Sequence, residues 1–404
     1  MPLSYRNSLI SQWAATIYTG GVSLGLTFVI ARVLGPEGFG AYSYILTIAS
    51  LFLILQDGGY KTLLFREKAL PSEELKAHQD KLFSWALGNV LVVSMAGVLF
   101  VSFVPCKYDW GILAALICFG LQAGANFISS ILRGNGFFAR EALWQITVRT
   151  LGAIGILGAL LWTKAEPRVI FWGWSAGLLA SLFISPIKWT SPLLGGFRKR
   201  DVWRACIGFL TIDAATTIYY RSDIILLEHL TCDSVMVGQY AAAYRFLDGV
   251  ILFAAPLGVI WFRKLRLVYK DRAHFRSQLT SMVLIMACAA GGLLALGVFF
   301  NKGIISLTFG SGYQDAAALL PWLFGALIFL LPNGVLTQSA IAQNMERLYA
   351  MAAAGGAGLN IGLNLILIPQ YGALGAACAT IATEVFLTAI LIIGLNKRLG
   401  VVRT

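Results

Sequence analysis

The sequence predicts an all-α polytopic membrane protein, with about twelve transmembrane helices in two pseudo-symmetric six-helix halves. Three observations predict it. Apolar windows of about 20 residues, the length that spans roughly 30 Å of hydrocarbon, recur along the whole chain of 404 residues. Basic residues sort to alternate loops. Residues of the second half echo the first at an offset of 198. With 58% hydrophobic and 12% charged residues and a mean hydropathy of +0.75, the chain has more apolar surface than a soluble domain needs. In lipid, backbone polar groups must be satisfied within each helix. The ten-residue alternating segments of a β-barrel are absent.

The windows fall at 8–32, 39–60, 80–104, 109–132, 141–163, 168–188, 203–229, 235–261, 277–300, 316–341, 348–368 and 373–396. No small-residue cleavage site follows the first, so it is expected to be retained and not removed as a signal peptide. Span 1 carries a polar face of Gln12, Thr16, Thr19, Ser23 and Thr27, spaced as one side of a helix requires. Span 2 opens on Gly40-Ala-Tyr42 and ends in Asp57-Gly58-Gly59, where Asp57 suits a turn or helix end. Span 4 carries Gln122, Asn126, Ser129 and Arg133; span 5 carries Arg149. In span 7, Asp213, Thr217, Arg221 and Glu228 fall within about 80° of one another at 100° per residue. Span 8 holds Arg245 and Asp248, span 10 Asn333 and Thr337, span 11 Asn360 and Asn364, and span 12 Thr380, Glu384 and Thr388. Pro256, Pro321 and Pro332 interrupt late helices and permit bends.

Charge orients the spans. With the N-terminus inside, the inner segments hold 23 basic residues and the outer loops only Lys107, Lys164, Arg168 and Lys302. That is the positive-inside pattern with both termini cytoplasmic, and it accounts for the net charge of +12 without nucleic acid. The basic segments 61–79 and 262–276 read either as amphipathic helices on the inner leaflet or as solvated connectors. The six cysteines show no C-x-x-C spacing and read as small buried hydrophobes; only Cys106 and Cys232 share a side on which they could pair. The three histidines form no metal-ligand pattern, and there is no P-loop. No metal, cofactor or catalytic residue is therefore expected.

Gly40-Ala-Tyr42 echoes Gly238-Gln-Tyr240, and Thr19 and Ser23 echo Thr217 and Arg221. This gives an N-terminal half at 1–194, a cytoplasmic linker at 195–202 and a C-terminal half at 203–404, with a cavity expected at the interface of the halves. A charge at mid-bilayer costs roughly 3 kcal/mol on insertion scales, so interior charges face a partner, the bundle interior or water. Such a pattern points to transport of a polar or charged cargo.

Five segments resemble the polysaccharide-export branch of the multidrug/oligosaccharidyl-lipid/polysaccharide (MOP) exporter superfamily. They are Ala31–Tyr42, Arg221–Leu227, Val237–Tyr244, Phe309–Tyr313 and Asn364–Ala377. The resemblance implies a MOP/MATE-like fold and an O-antigen flippase-like activity in a bacterial plasma membrane. Its cargo would be an undecaprenyl-pyrophosphate-linked oligosaccharide, moved from the inner to the outer leaflet by alternating access, with membrane lipid and a polysaccharide polymerase or ligase as partners. Arginine suits pyrophosphate because its planar fork pairs phosphate oxygens. Arg149, Arg221 and Arg245 are the expected phosphate ligands, and Asn126, Asn360 and Asn364 the expected sugar contacts. A structural reading stands beside each: arginines paired with nearby acids, and amides bonding helix to helix. Asp213 and Glu384, with no arginine beside them on their own helices, are candidate sites for a coupling H+ or Na+. Two other functions stay open, a cation-coupled multidrug exporter and a membrane enzyme of surface polysaccharide assembly. Three interior arginines count against the first, and the lack of a large outer loop or an acidic sugar-nucleotide motif against the second.

Overall fold

The computed structural model describes residues 5–68, 73–103, 107–191 and 200–400. Most of the expected linker at 195–202 falls outside them, and so does Cys106 of the loop pairing; Cys232 is a free, exposed thiol. Among the described residues there is no strand. The helices are α1 (Tyr5–Asp57), α2 (Tyr60–Lys68), α3 (Glu73–Phe103), α4 (Asp109–Gly134), α5 (Phe138–Trp162) and α6 (Pro167–Phe183). They continue with α7 (Arg200–Thr231), α8 (Ser234–Leu267), α9 (Arg272–Thr308), α10 (Gln314–Ala342), α11 (Glu346–Tyr371) and α12 (Ala373–Leu399).

Each of the twelve expected spans holds a helix, and α1 holds two. The loop expected between spans 1 and 2 is instead a break at Gly35, with φ 67° and ψ 176°. Only glycine adopts that conformation without strain, and Pro36 restarts the helix where a missing N–H is harmless. Among the described residues nine helices, counting α1 once, are long and apolar enough to cross a membrane. α6 is shorter, at 17 residues or about 26 Å, and α7 is diluted by its polar stripe. Large apolar side chains such as Phe103 and Trp162 lie almost fully exposed, as a lipid-facing surface requires.

The basic segment at 262–276 is not a separate surface helix. α8 runs to Leu267 and α9 starts at Arg272, capped by the Asp271 carboxylate, which accepts from the Ala273 and His274 amides. Its cations ride on the ends of long helices. At the other basic segment, Asp57 accepts from the Gly59 and Lys61 amides at 3.2 and 3.3 Å and so caps α2. α2 then packs Tyr60, Leu63 and Leu64 against Phe83 of α3 and Phe127 of α4.

The chain forms two compact units, Met1–Leu34 with Ala41–Thr217, and Gly35–Gly40 with Ile218–Thr404. In the first, α4 is the hub, packed by α2, α3, α5 and α6; in the second, α10 is packed by α8, α9, α11 and α12. Both hubs are the fourth span of their half, so the two units repeat one plan.

The short segment 35–40 sits in the second unit for a steric reason. A Cβ on Gly40 would lie 1.8 Å from the Ser234 carbonyl oxygen, and one on Gly238 1.9 Å from that of Pro36. The two glycines that echo each other in sequence therefore cross backbone to backbone. Phe39 packs on Phe309 and Tyr313 at centroid distances of 6.0 and 6.2 Å. Gln239 donates to the Gly312 carbonyl and accepts from the Ala316 amide.

Candidate functional site

The first unit holds a half-open cavity of about 230 Å³ lined by α1, α4, α5 and α6. α4 presents Gln122, Asn126, Ser129 and Arg133, and α5 presents Gln145 and Arg149; Thr19 comes from α1, and Trp144 and Trp174 close the wall. The two polar faces meet because α4 and α5 are antiparallel, joined by a turn in which Gly136 takes φ 77°. Trp144 Nε1 donates to the Ala125 carbonyl at 3.1 Å, fixing the register of α5 on α4. Gln122 Nε2 donates to Asn126 Oδ1 at 3.0 Å.

At one end of the cavity wall stands Glu141, with its side chain fully buried. Its Oε1 accepts from Ser129 and from Gln145. Gln12 Nε2 donates to its Oε2 at 2.6 Å and to the Phe138 carbonyl at 2.8 Å. Arg133 Nε lies 3.2 Å from Oε1, an ion pair by distance whose N–H is not aimed at the oxygen. One carboxylate thus ties α1, α4 and α5 together and holds three of the cavity's polar side chains. Sequence reasoning missed it. The signal was its i−4 and i−8 spacing to Gln145 and Arg149 on one face of α5.

Arg149 sits two turns further along α5, about 12 Å from Glu141 along the axis. Among the described residues it has neither an ion pair nor a hydrogen bond, and no carboxylate lines the cavity. The lining therefore offers two guanidiniums, three amides, two hydroxyls and two indoles, and no acid.

The second unit holds the other two arginines, arranged differently. Arg221 of α7 and Arg245 of α8 both reach Asp248, with Nη1 to Oδ2 distances of 3.5 and 3.1 Å. Arg221 pairs across helices, whereas Glu228 on its own helix takes Ser234. Asp223 is fully engaged, accepting from Tyr240 Oη at 2.5 Å and the Ile224 amide at 2.8 Å. Asn360 accepts from Ser222 and Asn364 and donates to Thr383, so Asn360 and Asn364 join α7, α11 and α12 in one buried network. Asn126 belongs to the first unit, where it lines the cavity.

The two candidate ion sites are equally distinct. Asp213 lies in the first unit, 3.8 Å from Lys61 Nζ of α2, and both side chains are about two-fifths exposed. Glu384 is buried; Asn333 Nδ2 donates to its Oε2 at 2.7 Å, and Thr388 donates to Asn333 Oδ1 at 2.8 Å.

Comparison with known proteins gives this arrangement a family. Residues 6–262 match the family model described as "Polysaccharide biosynthesis protein", and the chain belongs to that family. It is 28% identical over 276 residues to the succinoglycan biosynthesis transport protein ExoT of Rhizobium meliloti, a match covering 62% of this chain and only 52% of that protein. It is 25% identical over 395 residues to the probable low-salt glycan biosynthesis flippase Agl15 of Haloferax volcanii, covering 94% of this chain and 80% of Agl15. Among solved structures it resembles the lipid II flippase MurJ in an inward closed conformation, with TM-score 0.71 and 16% identity over 96% of this chain and 89% of MurJ. It also resembles an inward-facing multidrug resistance MATE family transporter of the MOP superfamily, with TM-score 0.72 and 13% identity over 97% and 98%. These likenesses establish the MOP-type fold.

Proposed function

We propose that this member of the polysaccharide biosynthesis family is a flippase for a lipid-linked glycan. The observation that carries the reading is the acid-free cavity of the first unit, with Arg149 unpaired inside it. An unpaired guanidinium among membrane-spanning helices is costly, and an anionic cargo removes that cost each time it binds. A pyrophosphate offers the oxygens that a guanidinium pairs. Hydroxyl-rich sugar suits the amides and hydroxyls of α4 and α5, and its apolar faces suit the indoles of Trp144 and Trp174. A drug exporter selecting cations would gain nothing from such a lining.

The finer assignment is an undecaprenyl-pyrophosphate-linked repeat unit of the O-antigen kind. It is carried across a bacterial plasma membrane by alternating access, with both termini cytoplasmic, and handed to a polymerase or ligase. Arg149, Arg221 and Arg245 take the phosphates. Asn126 contacts sugar. Asn360 and Asn364, expected as sugar contacts, instead brace α7, which carries Arg221, against α11 and α12. Glu384 and Asp213 are the coupling candidates. Depleting the protein and locating the lipid-linked repeat unit tests the reading. Accumulation on the inner leaflet supports it; unpolymerised units already on the outer leaflet would overturn it in favour of a polymerising or ligating role.

A further inference from the structure

The polar centre of the second unit is short of one acceptor. Arg221 and Arg245 carry two guanidiniums and ten N–H donors between them, yet both lean on a single oxygen, Asp248 Oδ2. Arg245 Nε is buried and has no acceptor. Asp223 acts on Arg221 only through its charge, since its oxygens accept from Tyr240 and from its own helix. Glu384 is held by Asn333. The two guanidiniums therefore share one direct acceptor and leave an unfilled donor in a low-dielectric interior, where a missing acceptor is expensive.

We infer that Asp248 is an exchangeable counter-ion, a carboxylate that holds Arg221 and Arg245 between transport events and is displaced from them by the phosphate of the cargo. The inference rests on the glycan-flippase reading and adds to it the means of release. Phosphate binds two guanidiniums better than one carboxylate oxygen does, because it has more oxygens and can pair each fork twice. Departure of the phosphate would leave two part-buried guanidiniums without a direct partner, a state that resists forming. Asp248 lowers that barrier by stepping back in. It also stays close to the bound phosphate and repels it, which keeps affinity low enough for turnover. The arrangement differs from the first unit, where among the described residues no carboxylate pairs with Arg149.

Inorganic pyrophosphate binding to the purified full chain in lipid nanodiscs, followed by titration calorimetry, is the test. Asp248→Asn frees both guanidiniums and removes the repulsion, so it should bind pyrophosphate about tenfold or more tighter than wild type. Glycan delivery in cells should fall because release slows. Asp248→Ser, smaller and open to water, should tighten binding in the same direction if the Asn variant fails to fold. Asp248→Glu should restore wild-type affinity, and adding Arg245→Gln to Asp248→Asn should abolish the gain. Unchanged or weaker binding in both neutral variants overturns the inference. The leaflet experiment above separates that failure from failure of the function: it can show flipping while Asp248→Asn binds no tighter, in which case only the counter-ion role is lost.

Discussion

The two units repeat one architecture around α4 and α10 but treat their central cations in opposite ways. In the first, Arg149 faces a polar cavity with no acid among its described lining residues, while the nearby carboxylate, Glu141, is spent on Arg133, Gln12, Ser129 and Gln145. In the second, Arg221 and Arg245 crowd one oxygen of Asp248. A repeated fold fixes where helices stand and leaves the charge on each face free to diverge. One unit then presents an open guanidinium to an anion, and the other holds its guanidiniums behind a removable partner.

The comparison breaks most visibly at Glu141. Glu141→Ala removes the buried acceptor of Ser129 and Gln145 and one of the two acceptors of Gln12, and leaves Arg133 without its carboxylate; it should destabilise the protein by about 2–4 kcal/mol, the cost of buried donors left unsatisfied. Thermal unfolding in detergent measures it, and Glu141→Gln should recover much of the loss by keeping the hydrogen bonds. Arg149→Ala removes a group that has no partner to orphan, so the same assay should find stability close to wild type. Its glycan delivery should nonetheless fall about 10- to 100-fold, the equivalent of one or two charge-assisted hydrogen bonds. Equal damage to stability and delivery would make Arg149 a structural residue like Glu141. Asn360→Ala sharpens the second unit. It severs contacts to Ser222, Asn364 and Thr383 and should cost about 1 kcal/mol, as interhelical hydrogen bonds in membranes typically do. Smallest of all is Asp213→Asn. Its half-exposed pair with Lys61 is worth less than about 1 kcal/mol, so any large drop in transport with unchanged stability would mark Asp213 as an ion-coupling group.

Most of the helical plan is legible in the sequence, because apolar windows and the sorting of Lys and Arg depend on composition along the chain. The family-like segments are legible too, and the structure gives them a physical meaning. Phe39, Gly40, Gly238, Gln239, Phe309 and Tyr313 meet in one packed knot, so their pattern records packing and not cargo contact. The join at Gly35-Pro36 shows a limit. An apolar dip with Gly-Pro reads as a loop, yet one left-handed glycine was enough to turn the chain without ending helix on either side. Polar stripes were visible as periodicity on α4 and α7. Their partners were not, because a partner is chosen by tertiary packing: Arg221 crosses to Asp248 of α8 and Asp213 to Lys61 of α2. Glu141 was hidden for a related reason. A single acid in the first turn of a helix looks like a solvated end, and only the fold shows α1 and α4 closing over it.

The central claim is that the open guanidinium of the first unit receives the phosphate of a lipid-linked glycan. Purified protein in proteoliposomes, with a polyprenyl-pyrophosphate oligosaccharide in one leaflet, measures transfer to the other leaflet directly. The account predicts transfer by wild type, a loss of about tenfold or more in Arg149→Gln, and a smaller loss in Arg221→Gln, where Arg245 and Asp248 still pair. Transfer by Arg149→Gln at the wild-type rate, or no transfer by the wild type, would contradict it.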